Sequence, residues 1–152
     1  MINQIKTAGG IVYQNGNFLF IYKRGIWDFP KGKFKNGDSR EKTALVEVYE
    51  ETGLPLNEIK ILEPLIPTYY IKSINGVPLQ KKTWWFLMEF VGDPLTDLIP
   101  AEDEDITKCQ WVSENKLEDI LPSAHERIVY LFDYLKQLPV YNRLMDNTFV
   151  EI

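Results

Sequence analysis

The segment 27–54 has the sequence WDFPKGKFKNGDSREKTALVEVYEETGL and holds most of the information about fold and function. Its first part, residues 30–37, contains a proline, two glycines and three lysines, which predicts a loop without helix or regular strand. A helix is predicted to follow, with Asp38 or Ser39 as its N-cap. Gly53 is the residue type favoured just past a helix C-terminus, where the chain turns left-handed. The segment is therefore a basic loop that leads into an acidic helix.

The helix is expected to start at Glu41 or Lys42 and to carry a cluster of carboxylates near its end. Glu47, Glu50 and Glu51 lie at positions i, i+3 and i+4, so they project from one face and repel one another. The last helical turn also disfavours anions, because the helix dipole is negative there. Such a cluster on its own fits a solvated helix face. The lysine loop that precedes it favours a second interpretation, in which the carboxylates hold a divalent metal against phosphate.

Length and composition fit one soluble globular domain spanning residues 1–152. The 152 residues are 45% hydrophobic and 26% charged, with a net charge of −5. This acidic balance argues against broad nucleic-acid binding by a basic surface. A single cysteine, Cys109, excludes an internal disulfide and indicates a reducing compartment. Neither a membrane span nor a signal peptide is evident, so we expect a cytoplasmic protein without membrane contact.

The rest of the chain predicts a mixed sheet with helices on both faces, an α+β or α/β architecture. Asn15-Gly16 predicts a tight hairpin turn, and Gly9-Gly10 predicts a bulge in the strand before it. Asn75-Gly76 marks a second turn. The predicted strands are 5–14, 17–22, an extended stretch over 57–71 broken by prolines, 79–91 and 109–112. A brief helix capped by Ser113 and a last helix with Pro122 in its first turn follow.

The segment from Gly32 to Leu54 resembles the Nudix box of the Nudix hydrolases. That pattern is a glycine, five residues, a glutamate, seven residues, and then R-E-hydrophobic-x-E-E-x-G-hydrophobic. The chain matches it without a gap at seven positions: Gly32, Glu47, Val48, Glu50, Glu51, Gly53 and Leu54. The resemblance implies a Nudix-type α/β/α sandwich with a mixed sheet, in one domain whose box covers 32–54.

Two positions depart from that pattern. Asp38 stands where the first glutamate is expected, and Val46 replaces the arginine that is thought to orient the neighbouring carboxylates. Val46 offers no donor, which suggests that a supporting ion pair is absent. Lys42, one turn earlier, is a partial substitute, although lysine lacks the bidentate geometry of arginine.

The resemblance implies hydrolysis of a diphosphate linkage with Mg²⁺, or with Mn²⁺ as a substitute. Hard cations of this kind prefer oxygen ligands. Glu47, Glu50 and Glu51 would be metal ligands, together with a main-chain carbonyl near Lys31 or Gly32. Glu47 is our first choice for the catalytic base. Glu104, from the acidic run 102–105, is the alternative base or an extra ligand.

The loop around Gly32 also suggests a substrate class. Pro30-Lys31-Gly32 resembles the variant found in diadenosine polyphosphate hydrolases, diphosphoinositol polyphosphate phosphohydrolases and decapping enzymes. This resemblance implies a small, phosphate-rich substrate such as a dinucleoside polyphosphate. The candidates for contacting phosphates are Lys31, Lys33, Lys35, Lys81 and Lys82, and those for stacking on a base are Tyr69, Tyr70 and Trp84.

Two other functions remain open at this point. The substrate can be another diphosphate, such as a nucleoside triphosphate, ADP-ribose or the 5′ end of RNA. Alternatively the chain is a Nudix-fold binding or regulatory protein with little turnover, for which Asp38 and Val46 are the support. A monomer and a homodimer are both compatible with the sequence.

Overall fold

The computed structural model describes residues 3–146, which form eight strands and four α-helices. The strands are β1 (Asn3–Gln14), β2 (Asn17–Lys23), β3 (Ile26–Asp28), β4 (Lys31–Lys33), β5 (Ile59–Pro64), β6 (Thr68–Ile74), β7 (Val77–Phe90) and β8 (Ile106–Ser113). The helices are α1 (Arg40–Thr52), α2 (Leu117–Ile120), α3 (Glu126–Leu135) and α4 (Pro139–Asp146).

The strands form one mixed sheet, as the sequence predicts. Its main path runs β3-β2-β1-β7-β5, while β4 pairs with β1, β6 with β7 and β8 with β2. The pairing of β1 with β7 is parallel and extends from Asn3 and Leu79 to Tyr13 and Glu89. The other pairings are antiparallel. The sheet therefore places the start of the lysine loop, in β4, directly against the central strand β1.

Helices cover both faces of the sheet because β7 is apolar on both sides. Phe86 and Met88 face one core, which includes Val48 of α1. Trp85 and Leu87 face the other core, which includes residues of α3 and α4. Successive side chains of a strand point to opposite faces, so one strand can serve both layers. This arrangement confirms the α/β/α architecture that the resemblance implies.

The two asparagine-glycine turns are confirmed. Tyr13 pairs with Phe18 and Gln14 with Asn17, so Asn15 and Gly16 form a two-residue hairpin turn. Both turn residues have positive φ, at 42° and 85°, as the tight turn requires. The second turn, at Asn75-Gly76, joins β6 to β7 with the same signs.

The predicted bulge at Gly9-Gly10 is wrong. Both residues lie in regular pairing with Trp85 and Phe86. A side chain at Gly9 would overlap the carbonyl oxygen of Pro30, and one at Gly10 would lie 2.6 Å from the Met88 sulfur. These glycines allow neighbouring chain segments to approach the sheet closely, and the backbone itself is regular.

Several element boundaries also differ from the prediction. Lys31–Lys33 form a short strand inside the predicted loop, because the Gly-rich part of β1 leaves room for its backbone. Helix α1 starts at Arg40, one residue early. Strand β8 starts at Ile106 and not at residue 109, because its pairing with β2 begins directly after the acidic run 102–105.

The helices after β8 are shorter than predicted. Pro122 lies in a 3₁₀ turn and does not open α3, which begins only at Glu126. The Ser113 side chain donates to Asn115 Oδ1 and makes no capping bond to the backbone. No helix between residues 3 and 146 is long and apolar enough to cross a membrane.

Candidate active site

Three carboxylates from two parts of the fold meet beside β4. One carboxylate oxygen each from Glu47, Glu51 and Glu104 lies within 4.8 Å of the others. Glu47 and Glu51 project from α1, whose ends are fixed by the Ser39 side chain, which accepts from the Lys42 N–H, and by Gly53. Glu104 comes from the 3₁₀ turn before β8. We call these three residues the carboxylate trio.

The acidic turn is anchored to the neighbouring strand. The Arg24 Nε donates to Asp105 Oδ2 at 2.9 Å, and the Arg24 N–H donates to the Asp105 carbonyl at 3.3 Å. These bonds attach the segment that carries Glu104 to the end of β2. The loop carboxylate is thus brought to the helix by contacts that are distant in sequence.

Burial opposes negative charge on two members of the trio, Glu47 and Glu51, whereas Glu104 is exposed. Glu47 is 6% exposed and Glu51 is 1% exposed. Burial, together with the nearby carboxylates of Glu50 and Glu104, raises the pKa of Glu47 to about 7. Burial also raises the pKa of Glu51 to about 8, although the Lys31 N–H that donates to it opposes this effect. Burial thus outweighs the stabilising effect of Lys23 and Lys35 and favours the uncharged forms of both acids.

These residues fit a divalent metal ion. Their donors are carboxylate oxygens, which Mg²⁺ and Mn²⁺ prefer, and a bound cation would offset the burial of the acids. Gly32 lies so close to Glu47 that a Cβ atom at Gly32 would overlap the Glu47 carboxyl group. Glycine is therefore required at position 32 for the Glu47 side chain to occupy its place.

Glu50, the remaining predicted ligand, lies at the edge of the site. Its Oε1 atom accepts from the Lys35 Nζ at 2.9 Å, and its side chain is 37% exposed. It is close enough to Glu47 to raise the pKa of that residue. Glu50 is nevertheless outside the trio that the described residues bring together.

A cavity of about 1040 Å³ opens between β6, β7 and the start of α3. None of the three carboxylates lines it, but Lys31, whose N–H donates to Glu51, does. Its wall carries six basic side chains, from Lys23, Arg24, Lys31, Lys72, Lys81 and Arg127. Three tyrosines also line it: Tyr69, Tyr70 and Tyr130. The acids among its lining residues are Asp28 and Glu126. An excess of cations with aromatic rings suits an anionic ligand that carries a flat ring.

The structure divides the predicted substrate residues into two groups. Lys31, Lys81, Tyr69 and Tyr70 line the cavity. The others, which are Lys33, Lys35, Lys82 and Trp84, do not line it. The Lys82 Nζ lies 4.5 Å from the centre of the Trp84 ring and 5.2 Å from that of Tyr69.

The comparisons with known proteins now identify the family. The model of the NUDIX domain matches residues 4–132, which is most of the chain. This chain belongs to the Nudix family. Members of this family are pyrophosphohydrolases that act on phosphoric anhydrides with divalent metal ions, and the carboxylate trio lies in this chain's Nudix box and the acidic turn facing it.

Relatives of this Nudix domain have several names. A protein of Mycobacterium tuberculosis provisionally named mutator protein MutT4 is 34% identical over 109 residues, covering 70% of this chain but 41% of that protein. An RNA pyrophosphohydrolase of Baumannia cicadellinicola is 27% identical over 110 residues, covering 65% of this chain and 69% of the relative. The match thus spans well under half of the first protein's length.

The fold also has solved counterparts. The structure of a Caenorhabditis elegans Ap4A hydrolase in a binary complex aligns with a TM-score of 0.67 and 21% identity. The alignment covers 87% of this chain and 95% of that one. At this identity the similarity establishes the shared fold, and the Nudix box supplies the link to chemistry.

One of the two departures from the Nudix pattern, Asp38, has a local explanation. Asp38 pairs with the Lys42 Nζ at 3.4 Å, one helical turn away, so its carboxylate has a cationic partner in spite of Val46. Among the described residues Lys42 forms no ion pair with Glu47, Glu50 or Glu51, so its suggested role as a substitute for the arginine stays a prediction. Val46 supplies no such partner to the carboxylates that follow it on α1.

Two residues in this Nudix domain were missed by sequence reasoning. Asp28 is 2% exposed and accepts from both the Phe29 N–H and the Arg127 guanidinium. A carboxylate between Trp27 and Phe29 was a signal for a buried acid with a partner. Arg127 had no such signal, since an arginine in the first turn of a helix is ordinary in sequence.

Proposed function

We propose that this Nudix domain, over residues 1–152, hydrolyses a diphosphate linkage in a phosphate-rich nucleotide with the help of Mg²⁺. The observation that carries this proposal is the carboxylate trio, in which oxygens of two buried acids and of a third acid from a loop converge to within 4.8 Å of one another. The adjoining cavity supports the substrate class, since its basic and aromatic wall suits a nucleoside polyphosphate or a dinucleoside polyphosphate.

The metal ligands we propose are Glu47, Glu50 and Glu51, with the carbonyl of Gly32. Glu104 is an additional ligand or an alternative base. A bound Mg²⁺ would neutralise phosphate charge and lower the pKa of a water molecule, and Mn²⁺ can replace it. The Lys31 N–H, which donates to Glu51 Oε1 at 3.1 Å, holds that carboxylate in place.

Glu47 is proposed as the general base. It accepts the proton of the attacking water as the new oxygen–phosphorus bond forms and the anhydride bond breaks. The buried position of Glu47 against Gly32 fixes its carboxyl group, which keeps the base oriented. Phosphate charge is proposed to be offset by Lys31, Lys33, Lys35 and Lys82, and of these four Lys31 lines the cavity.

The base of the nucleotide is proposed to stack on Tyr70. Tyr70 lines the cavity and is 36% exposed, and the Lys81 Nζ and the Arg127 Cζ each lie 5.7 Å from the centre of its ring. Tyrosine rings suit this role because every base has an aromatic face.

The proposed partner is a small nucleotide. The proposed compartment is the cytoplasm, and the chain is proposed to be a monomer or a homodimer.

A second substrate is favoured by one observation. Relatives that match over about two thirds of the chain are named RNA pyrophosphohydrolases, so the 5′ triphosphate end of RNA is the leading alternative. Nucleoside triphosphates and ADP-ribose belong to the same panel. The non-enzymatic alternative is a binding protein that holds such a ligand without turnover.

A product screen distinguishes these functions. The purified chain is incubated with diadenosine tetraphosphate, ATP, ADP-ribose and a 5′-triphosphorylated RNA, each with Mg²⁺ and with EDTA. We expect Mg²⁺-dependent products from diadenosine tetraphosphate at the highest kcat/KM. Release of phosphate products from none of the four substrates would reject the enzymatic function.

A further inference from the structure

Arg127 is an incompletely paired cation inside the large cavity. Its Nη2 donates to Asp28 Oδ2, and its side chain is 15% exposed. Its Nε atom is buried and has no hydrogen-bond partner among the described residues. The Cζ atom lies 5.7 Å from the centre of the Tyr70 ring. A buried guanidinium donor without an acceptor is costly, which indicates that an acceptor is supplied by a ligand.

Two lysines share this part of the cavity with Arg127. Lys31 is 10% exposed at its side chain, and its Nζ lies 3.9 Å from the same oxygen of Asp28. Lys81 pairs across the sheet with Tyr70 and lines the same wall. Burial lowers the pKa of Lys81, and the positive charges of Arg127, Lys72 and Lys23 lower it further. One buried carboxylate thus faces several cations that repel one another.

A purely structural role explains only part of this arrangement. The ion pair between Asp28 and Arg127 ties the start of α3 to the segment that leads into β4. That tie accounts for one guanidinium nitrogen and leaves the Nε of Arg127 without an acceptor. It also does not explain why Lys31 and Lys81 lie beside an arginine that they repel. An anion in the cavity would satisfy the free donor and reduce the repulsion together.

Lys31 connects this cluster to the carboxylate trio. Its backbone N–H donates to Glu51, whereas its side chain extends to Asp28 in the cavity. A phosphate chain that reacts at the trio would therefore follow Lys31 towards the basic cluster. The two phosphates that flank the broken bond belong at the trio, so the cluster is placed to hold the next phosphate along.

We propose that Arg127, Lys31 and Lys81 form a second phosphate subsite, which selects substrates with three or more phosphates in a row. Asp28 acts as a positioning residue that orients Arg127 and Lys31. The proposal rests on the proposed function and adds a criterion for the substrate. ADP-ribose, with two phosphates, leaves this subsite empty, whereas a triphosphate or a longer chain fills it.

The test is calorimetric binding of inorganic tripolyphosphate and of pyrophosphate in EDTA, without any metal. Wild type is compared with Arg127→Gln, Lys81→Gln and the double variant Asp28→Asn with Arg127→Gln. Arg127→Gln alone removes the main partner of the buried Asp28 carboxylate, which can destabilise the fold. In the double variant residue 28 carries no charge, so a loss of binding there does not reflect an unpaired buried acid. The matched control is Arg143→Gln, because Arg143 is exposed on α4 and does not line the cavity.

We expect tripolyphosphate to bind wild type more tightly than pyrophosphate does. Loss of Arg127 or Lys81 should weaken tripolyphosphate binding by about tenfold, which is the effect of one charge-assisted hydrogen bond. The Arg143 variant should match wild type. Equal binding of tripolyphosphate by wild type and by the Arg127 and Lys81 variants would overturn the proposal.

A further arm separates this proposal from the proposed function. Glu51→Gln should bind tripolyphosphate as well as wild type in EDTA, because Glu51 does not line the cavity. If wild type binds tripolyphosphate through Arg127 but hydrolyses no diphosphate with Mg²⁺, the subsite stands and the enzymatic function fails. If hydrolysis occurs and the Arg127 variant shows the same preference for phosphate number as wild type, the subsite fails alone.

Discussion

The backbone N–H of Lys31 donates to the Glu51 carboxylate at 3.1 Å, which joins the short strand β4 to the last turn of α1. This bond links the residue just before the Nudix box to a glutamate near its end, twenty residues away in sequence. It also holds the lysine loop against the helix that carries the carboxylates. The Lys31 side chain extends into the cavity, so the same residue contacts both the carboxylate trio and the cavity.

Glycine at position 32 should be essential for activity. Gly32→Ala would place a methyl group on the Glu47 carboxyl, so that side chain must move. We expect kcat to fall by about tenfold to a hundredfold, which corresponds to roughly 1.4–2.7 kcal/mol in the activation barrier. Mn²⁺ binding, measured by electron paramagnetic resonance, should weaken as well.

Gly37→Ala is the matched control for that change. Gly37 has φ of 82° and no atom within 4 Å of an added Cβ, so the substitution strains the backbone without touching the site. It should lower the free energy of unfolding by about 1 kcal/mol and leave kcat unchanged. Equal activity of both variants would show that Gly32 does not shape the Glu47 position.

Divalent metal should stabilise the protein more at pH 8 than at pH 5.5. The folded-state pKa values of Glu47 and Glu51 are about 7 and about 8, above the ordinary value of 4.5. Above pH 8 both groups are charged and destabilise the metal-free fold. As the pH falls from about 8 towards 4.5, the folded state binds protons that the unfolded state does not, and the stability of the metal-free fold rises.

The measurement is thermal unfolding with and without Mn²⁺ at the two pH values. Wild type should gain several degrees in Tm from metal at pH 8 and little at pH 5.5. Metal-free Glu51→Gln should be more stable than wild type at pH 8, by on the order of 2 kcal/mol, and should gain little from metal. A Tm gain that is independent of pH and of Glu51 would contradict the assignment.

Val46→Arg should increase turnover. Val46 precedes Glu50 by four residues on α1, so an arginine there can pair with a carboxylate at the edge of the site. One charge-assisted hydrogen bond stabilises by roughly 1.5–3 kcal/mol, and part of that effect should appear as about a threefold to tenfold rise in kcat. Val46→Met adds length without a donor and should leave kcat unchanged. If the arginine and methionine variants behaved alike, Val46 would not limit the reaction.

Much of the fold follows from local sequence signals. Asn15-Gly16 and Asn75-Gly76 predict both turns, because tight hairpins need positive φ at these positions. The apolar residues on both faces of 79–91 predict a strand between two layers, which β7 confirms. The periodic acidic segment gives α1 to within one residue at its start.

The errors arise where tertiary packing outweighs the local signal. Strand β4 lies in a sequence rich in glycine and lysine, and it exists because Gly9 lets it approach β1 closely. Likewise Gly9 and Gly10 are typical of a bulge when read alone. Their partners, Pro30 and Met88, are distant in the chain, so one sequence does not reveal them.

The candidate site divides in the same way. The Nudix spacing predicts Glu47 and Glu51, and the acidic run points to Glu104, but only the fold shows that their oxygens meet. Arg127 and Asp28 meet across a separation of 99 residues. No pattern in the sequence joins them, because their pairing depends on how α3 packs over the sheet.

The most direct test of this account is Mg²⁺-dependent hydrolysis of diadenosine tetraphosphate by wild type, Glu51→Gln and Glu41→Gln, with products separated by anion exchange. Glu41 lies exposed in the first turn of α1, so its substitution makes the same chemical change away from the trio. We predict that the Glu51 variant loses activity by at least about a hundredfold, as for other residues that stabilise the transition state, while the Glu41 variant keeps wild-type activity. Wild-type turnover by the Glu51 variant would contradict the central claim that Glu51 helps to hold the catalytic metal at the carboxylate trio.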